Sequence, residues 1–550
     1  MSVTAILQNA ISGLNASQVG IRSTSTNVSN VNNVDYARRS VSFQSNPLGG
    51  VEVSEIRRLA DDFLVREGLN ANSALGAATS IAKIHDRLQS IFGNPNSANS
   101  IPGLLNGMFA EIAELQIDPT SAVRRATTLN SIQQLLTEFD QFSSSIQDVR
   151  LNADHEISGR ITEINSLIKN IYELNNAITG GASRGTDVNA LIDQRQSSLT
   201  ALSKLIDVRA TPQAGGYVNV STMDGLLLVN NNYTELHYDP AGAVTPDTVF
   251  PRLTLHSIDV GSGSVNPVGL AFESRLVSGE IRGLLDMRDV TLPRISQEIG
   301  ELAAKITDQL NAIHSDNSAV PAPNQLIGRT VGQIGTDAHN FTGVANFSVV
   351  DAAGLTVAAV RADFTAGQYS VNGGPAVAFG GASIAAMVNG INTGLGANGT
   401  LSFANGVMSL TATAPANGVA MVQDSATPGL RAGRSFSHFF SMNDLVVADA
   451  PSHYDTGLSA LDAHGFTAGQ TFRMKFINPM GQVASDYTLT VGGATIGDII
   501  NQLNNPVTGM GAVTTFRLMR KVPWCKLRTL VTKIISCFQL TTKLRAGQPA

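Results

Sequence analysis

The sequence predicts an α+β protein with an elongated helical rod domain, an N-terminal heptad helix and a β-rich outer module. Three observations carry this prediction. Apolar residues recur at heptad spacing near the N-terminus, a very long stretch from Thr120 lacks proline, and short Val, Phe and Thr strands separated by Gly and Asn begin near residue 340.

Composition narrows the class of protein. The chain has 550 residues, 43% of them hydrophobic, and a formal net charge of −6, which gives no reason to expect a nucleic acid or an acidic membrane as partner. No apolar run approaches the ~20 residues of a membrane-spanning helix, and the N-terminus lacks the pattern of a cleaved signal peptide. We therefore expect that, if the protein leaves the cell, another route carries it.

The first 34 residues carry a single charge, Arg22, yet keep an apolar or small residue at every third or fourth position. The seam that these positions form is Leu7, Ala10, Leu14, Ser17, Ile21, Thr24, Val28 and Val31. Such a seam favours a partner helix, and its many Ser, Thr and Asn residues are poor formers of an isolated helix. We expect residues 4–33 to be mobile alone and to become ordered only when packed against neighbouring chains or a C-terminal helix. An ordinary amphipathic terminal helix fits the same pattern.

Helical patterns continue through most of the first 320 residues. They cover residues 61–91, 102–117, 120–178, 187–206 and 279–314, with a predicted hairpin at 217–238 around Met223, Asp224 and Gly225. The third of these would be a rod roughly 87 Å long at 1.5 Å per residue. The last places Ile295, Ile299, Leu302, Ile306, Leu310 and Ile313 on one helix face.

The outer module contains an internal repeat. FTAGQ occurs at 364–368 and at 466–470, and GGASIAAMVNGIN at 380–392 matches GGATIGDIINQLN at 492–504 without a gap. Two related units of strands plus a helix are therefore expected.

The last 40 residues differ from the rest of the chain. They hold eight Lys or Arg, no Asp or Glu, both cysteines (Cys525 and Cys537) and the single Trp. The match between the two repeats ends near Phe516, which favours a tail foreign to the fold, such as a shifted reading frame would produce. The alternative is an authentic basic amphipathic helix over 527–538.

No pattern of catalytic or ligand-binding residues is convincing. Ser183 lies in a G-x-S-x-G sequence, but that nucleophile elbow follows a strand and here a helix precedes it. Gly394, Gly396 and Gly399 fit the glycine spacing of a dinucleotide-binding motif. That motif follows a strand and begins a helix, whereas here a predicted helix comes before it and a strand after it. The nine His are scattered. We predict no enzyme activity, no cofactor and no metal site.

The segment from Gly13 to Phe43 resembles the N-terminal signature of bacterial flagellar rod, hook and hook-associated proteins, roughly S-x-N-I-x-N-x-N-T-P-G-Y-S-R. The matching residues are Ser25, Asn27, Val28, Asn30, Asn32, Tyr36 and Arg38. Residues 33–35 replace the Thr-Pro-Gly turn of that pattern.

Two further stretches resemble the hook-associated members of this family. One is NALIDQRQSSLTALSKLIDV at 189–208, with its L-x-D-Q-R motif. The other, at 278–317, keeps Gly283, Leu284, Arg288, Pro293, Ala303, Asn311 and His314.

The resemblance implies a structural subunit of the hook-filament junction, secreted to the bacterial flagellum. Its implied partners are copies of itself, flagellar hook subunits, filament-side hook-associated proteins, an export chaperone and the flagellar type III export apparatus, with no nucleic acid and no membrane. In this family a C-terminal helix returns to pair with the N-terminal one, and here that return helix is expected to be missing. The expected assembly interface is the seam Leu7, Leu14, Ile21 and Val28, with Asn27, Asn30, Asn32 and Tyr36 shaping the bend that follows.

The expected domains are an axial assembly helix at 1–35, a helical rod domain at 36–325 with a β insertion near 209–275, an outer module at 326–516 and the basic tail at 517–550. The two units of the outer module would cover about 340–445 and 446–516. The rival functions are another axial subunit of the hook or distal rod, a secreted adhesin built on the β repeats, and a serine hydrolase that uses Ser183.

Overall fold

The computed structural model divides the chain into two compact units, Met1–Ile299 and Gly300–Ala550. It describes residues 3–33, 36–46, 49–246, 248–329, 331, 333–447, 453–455, 460–461, 464, 466–477, 483–509, 511, 514–518, 521–523 and 538–542.

The first unit opens with an N-terminal arm, residues 3–58, made of one helix and one β-hairpin. Helix α1 (Val3–Ser29) is followed by strands β1 (Arg39–Ser45) and β2 (Val51–Arg58), which pair antiparallel. The hairpin lies along α1, where Gly20 is so close that an added Cβ would stand 3.3 Å from the ring of Phe43. The predicted N-terminal helix is therefore present, with a hairpin packed on it that the sequence did not reveal.

A helical bundle follows. Its elements are α2 (Asp62–Phe92), α3 (Ile101–Ile117), α4 (Ala122–Ser183), α5 (Asn189–Leu205), α6 (Glu280–Asp286), a π-helical turn (Met287–Thr291) and α7 (Leu292–Ser315), within which the division between the units falls. Helices α2, α3 and α4 begin at side-chain caps from Asp61, Ser100 and Ser121. The predicted rod is confirmed, because α4 has 62 residues, about 93 Å at 1.5 Å per residue.

Small sheets are inserted between α5 and α6. Their strands are β3 (Arg209–Pro212), β4 (Val218–Ser221), β5 (Leu227–Val229), β6 (Thr234–His237), β7 (Thr254–Asp259), β8 (Ser264–Val265) and β9 (Leu270–Ala271). The order is β3-β4-β5 in one sheet, while β7 pairs with β6, β8 and β9 in the other. The hairpin predicted over 217–238 is present as β4 and β5, which pair antiparallel. Strand β6, also within that range, pairs with β7 instead.

The core of the first unit runs along α4. Ile157, Ile164, Ile168 and Ile171 are completely buried, and the inward faces of α2, α5, α6 and the inserted strands pack in the same cluster. The isoleucines recur at spacings of 3, 4 and 7, as expected for one buried helix face.

The second unit contains a five-stranded and a three-stranded sheet. Its elements up to residue 439 are β10 (Gln325–Ile327), β11 (Val344–Val350), β12 (Thr356–Asp363), β13 (Gln368–Val371), β14 (Val377–Ala378), α8 (Ile384–Leu395), β15 (Gly399–Ala404), β16 (Val407–Ala412), β17 (Gly418–Gln423), β18 (Leu430–Arg431), β19 (Arg434–Ser435) and α9 (Phe436–Phe439). The sheet orders are β14-β13-β12-β11-β17 and β10-β16-β15.

The remaining described elements repeat part of this arrangement. They are β20 (His453–Asp455), β21 (Thr471–Ile477), β22 (Val483–Thr490), α10 (Ile496–Leu503), β23 (Thr514–Leu518), β24 (Lys521–Pro523) and β25 (Phe538–Thr542). The hairpin β21–β22 reproduces the strand lengths of β11–β12 and has its irregularity at the same place. Ser383 and Thr495 cap α8 and α10 equivalently, as expected of two related units.

One part of the predicted repeat is wrong. The first FTAGQ, at 364–368, lies in the turn that joins β12 to β13, whereas the second, at 466–470, precedes β21. The counterpart of Phe466 is Phe341, because both form the same hydrogen bond. The N–H of Phe341 donates to Nδ1 of His339, and the N–H of Phe466 donates to Nδ1 of His464. The β13–β14 segment is therefore an insertion in the first copy.

Most of the basic tail lies outside the described residues, including 527–537, where the alternative helix was expected. Phe538 begins strand β25, which pairs antiparallel with β23.

Candidate assembly surface

Helix α1 has one side that packs on the hairpin of the same arm. Asn9 and Ser12 approach Gly49 and Gly50, Ala16 is buried, and the Ser12 hydroxyl accepts a hydrogen bond from the N–H of Val51 at 3.1 Å. Small residues four positions apart, Ser12, Ala16 and Gly20, allow this close contact. The sequence held this signal in Ser12, Ala16 and Gly20, but the heptad pattern concealed it.

The predicted seam lies on the other side of α1 and is exposed. Leu7, Leu14, Ile21 and Val28 have 60%, 59%, 71% and 68% of their surface accessible. Val3, Ile6, Ile11 and Val31 extend this exposed apolar surface. Because the hairpin occupies the opposite side, the seam is directed away from the arm's own strands and is available to another helix.

Asn27 and Tyr36 are brought together as the predicted bend requires. The Tyr36 hydroxyl donates to Asn27 Oδ1 at 2.7 Å, and the Asn27 side chain bonds both backbone groups of Arg39. Asn27 thereby fixes the end of α1 to the start of β1.

The other two asparagines predicted for the bend are placed differently. Asn30 Nδ2 donates to the carbonyl of Thr26, one turn back on its own helix, at 2.9 Å. Asn32 lies in the turn after α1 and is exposed, and its side chain forms no hydrogen bond with the described residues. The predicted shaping of the bend is therefore supported by geometry for Asn27 and Tyr36 only.

An ion-pair cluster at the root of the hairpin was missed. Asp193 on α5 accepts from Arg39 at 2.8 Å and from Arg58 at 2.9 Å. Arg39 belongs to the N-terminal signature and Asp193 to the L-x-D-Q-R motif, so these two stretches of resemblance meet in space. Nothing in their sequence separation indicated this contact.

The same motif supplies Arg195, which is almost completely buried. It donates to Asn175 Oδ1 and to the carbonyl of Gly216, both at 2.7 Å. Burial, followed by the nearby charge of Arg58, lowers the pKa of Arg195 to about 10. Arg195 ties α5 to α4 and to the loop before β4.

Arg288, in the third stretch of resemblance, forms a second buried cluster. It donates to Asp154 at 2.7 Å and to Asp289 at 2.8 Å, and its guanidinium lies 4.1 Å from the centre of the Phe250 ring. Burial opposes its charge, but the hydrogen bond and charge of Asp289, together with the hydrogen bond to Asp154, raise the pKa of Arg288 above its ordinary value. The cluster joins α4, the π-helical turn and the loop that contains Phe250.

Asn311 and His314 of that stretch bind backbone in the second unit. Asn311 pairs with both the N–H and the carbonyl of Val446 at 2.8 Å, and His314 Nδ1 lies 2.7 Å from the carbonyl of Asn443. These motif residues hold α7 to the segment that follows α9.

Ser183, the serine of the G-x-S-x-G sequence, is not placed as a nucleophile in the described structure. Ser183 ends α4 and donates back to the carbonyls of Thr179 and Gly180, so the elbow expected of a hydrolase is not formed. In the described part of the chain no three His, Cys, Asp or Glu side chains cluster as metal ligands. Within the same part, no helix has the length and apolar character needed to cross a bilayer.

The long helical bundle, with its buried motif residues, is the part of the chain that is similar to known flagellar structural proteins. Residues 85–321 match the family described as the flagellar hook-associated protein FlgK helical domain. More particularly, the chain is similar to flagellar hook-associated protein 1, with 26% identity over 325 residues to that of Salmonella typhimurium LT2 and 24% over 324 residues to that of Escherichia coli K12. The resemblance predicted from the sequence is confirmed.

The extent of these matches is limited. Both enterobacterial alignments cover 57% of this chain and 57% of the relative, so the chain spans little more than half the length of these proteins. The protein of the same name from Bacillus subtilis 168 is 23% identical over 239 residues, 40% of this chain and 47% of that one. Among solved structures, the flagellar hook junction protein FlgK from Burkholderia pseudomallei aligns over 78% of each chain with 17% identity and a TM-score of 0.39.

Proposed function

We propose that this chain is a structural subunit of the bacterial flagellum that joins hook to filament. It acts by packing the seam of α1 against helices of neighbouring subunits and has no catalytic function. Its helical domain at 85–321 supports this assignment to the junction.

The observation that carries the proposal is the exposed seam. Four large aliphatic side chains, Leu7, Leu14, Ile21 and Val28, line one side of a helix whose other side is already filled. Burying one such side chain contributes about 1.5–3 kcal/mol, so covering four would strongly favour association. Helix-to-helix packing suits their heptad spacing.

The partners proposed for the seam are further copies of this chain, hook subunits and filament-side hook-associated proteins. Delivery would occur through the flagellar type III export apparatus with an export chaperone, which places the protein outside the cell at the hook-filament junction. The arm presents no cluster of basic residues along the seam, since Arg22 is the single charge in residues 1–34, and neither nucleic acid nor membrane is proposed as a partner.

The test is complementation of cells deleted for this protein. Leu14→Asp and Ile21→Asp each place a carboxylate in the seam, whereas Asn15→Asp places one on an exposed position of the same helix outside it. We expect all three variants to be exported, and only Asn15→Asp to restore junctions and swimming. Normal filaments on cells carrying Leu14→Asp or Ile21→Asp would refute the proposal.

A further inference from the structure

Two arginines of like charge stand directly opposite each other at the root of the arm. Arg39 on β1 and Arg58 on β2 are direct cross-strand partners. Side chains in such a pair have Cβ atoms about 4.5–5.5 Å apart, and like charges there are destabilising. The hairpin therefore needs a negative charge at this place.

Asp193 supplies that charge from α5. Its two oxygens are divided between the arginines, with Oδ2 accepting from Arg39 and Oδ1 from Arg58. The three side chains are only 14–17% exposed, so solvent screens them less than it screens a surface ion pair. One carboxylate thus neutralises the repulsion and attaches both strands to the bundle.

A second side chain on the same face of α5 contacts the hairpin. Asn189, one turn before Asp193, donates from Nδ2 to the carbonyl of Ile56 at 3.1 Å. Residues four apart lie on one helix face. Asn189 and Asp193 thus both join the arm to the bundle by side-chain hydrogen bonds.

We propose that Asp193 is the positioning residue of the N-terminal arm, which sets the direction of α1 relative to α5. Its carboxylate binds Arg39 and Arg58 at the root of the hairpin, and Asn27 fixes α1 to β1. Together these contacts set the direction in which the seam faces. The role of this orientation in assembly rests on the proposed function. The positioning of α1 by Asp193 does not depend on that function.

The experiment measures the distance between α1 and α5 in the purified chain. Spin labels are placed at Asn15→Cys and Ser197→Cys, two exposed positions, after Cys525→Ser and Cys537→Ser remove the native thiols. Pulsed electron resonance then reports the distribution of distances. Because no flagellar partner is present, a failure here is distinguishable from a failure of assembly.

We expect Asp193→Asn to convert one narrow distribution into a broad or displaced one, with helical content unchanged by circular dichroism. Glu173→Gln, which removes an exposed carboxylate from α4, should keep the narrow distribution. Adding Arg58→Gln to Asp193→Asn should narrow it again, because the like-charge pair is then gone. A purely packing role for Asp193 would not give this rescue. An unchanged distribution in Asp193→Asn, or no recovery with Arg58→Gln, would overturn the proposal.

Discussion

The side-chain amide of Asn27 pairs with both backbone groups of Arg39, donating from Nδ2 to its carbonyl and accepting its N–H at Oδ1, each at 2.9 Å. The Asn27 side chain here acts like a residue of a neighbouring strand, because it forms hydrogen bonds with both the N–H and the carbonyl of one residue of β1. Backbone groups left without such a partner are costly when removed from water.

In the part of the chain that the structure describes, the same arrangement recurs at four other helix asparagines. In each, one side-chain amide bonds both the N–H and the carbonyl of a single residue: Asn165 with Leu236, Asn175 with Val218, Asn311 with Val446, and Asn392 with Leu401. Asn165, Asn175 and Asn392 therefore join helices to strands, and Asn311 joins α7 to the segment after α9.

Asn27→Ala should loosen the junction of α1 and β1. It removes the partner of two backbone groups and of the Tyr36 hydroxyl, and unsatisfied groups of this kind cost about 1–3 kcal/mol. We expect the Arg39 amide to exchange its hydrogen roughly tenfold faster, since 1.4 kcal/mol corresponds to that factor. Asn15→Ala, at an exposed position, should leave the exchange unchanged. Equal protection in both variants would show that the Asn27 contacts contribute nothing.

Arg288→Met should destabilise the first unit strongly. It leaves the Asp154 carboxylate, which is fully buried, without its cationic partner, and breaking a buried pair in this way costs about 3–5 kcal/mol. Urea unfolding measures the loss. Adding Asp154→Leu should recover part of it.

The matched control is Arg294→Met, whose ion pair with Glu298 is exposed and should contribute about 0–1 kcal/mol. Similar losses for Arg288→Met and Arg294→Met would contradict the importance of the buried cluster.

Gly283→Ala and Gly159→Ala should have opposite effects. A Cβ at Gly283 would stand 2.3 Å from the Ser80 hydroxyl and 2.7 Å from the carbonyl of Ala77, where α6 crosses α2. Overpacking of this kind costs about 1–3 kcal/mol. At Gly159, within α4, a Cβ would meet nothing within 4 Å, so alanine should stabilise by about 0.5–1 kcal/mol. Thermal unfolding of the two variants distinguishes these signs, and a stabilising Gly283→Ala would show that the helices can separate freely.

Asp207 should make stability depend on pH. Burial raises the pKa of this carboxyl above its ordinary value of 3.8, although the N–H groups of Val277 and Ser278 partly oppose the shift. The folded state then binds the proton more tightly than the unfolded state. Ionisation of Asp207 therefore leaves the free energy of unfolding unchanged well below pH 3.8 and lowers it as the pH rises from there through the raised pKa.

Asp207→Asn removes this titration. The advantage of Asp207→Asn over the unchanged protein should therefore increase from pH 4 upwards and become constant above the raised pKa, as urea unfolding at a series of pH values would show. An advantage that shrinks with rising pH would contradict the account.

Sequence patterns were sufficient where periodicity alone decides structure. The 62-residue α4, its buried isoleucines and the capped repeat helices α8 and α10 follow from local spacing and capping residues. The exposed seam of α1 also appears where the heptad spacing indicated. These features depend on neighbours within a few turns.

Contacts between distant parts of the chain could not be predicted in this way. Arg39 and Asp193 are 154 residues apart, and the pairing of Asn27 with Arg39 depends on a hairpin that folds back on α1. The false equivalence of the two FTAGQ stretches has the same origin, because a shared sequence in a loop does not fix its place in a sheet.

We propose above all that the seam of α1 binds other protein helices. Its most direct test is binding of the purified chain to isolated flagellar hooks, measured by co-sedimentation and by electron microscopy of the hook ends. We predict saturable binding at the hook end that Ile21→Asp abolishes and Asn15→Asp preserves. A chain that remains monomeric at high concentration and binds no hook end, or an Ile21→Asp variant that binds as well as the unchanged protein, would contradict the claim.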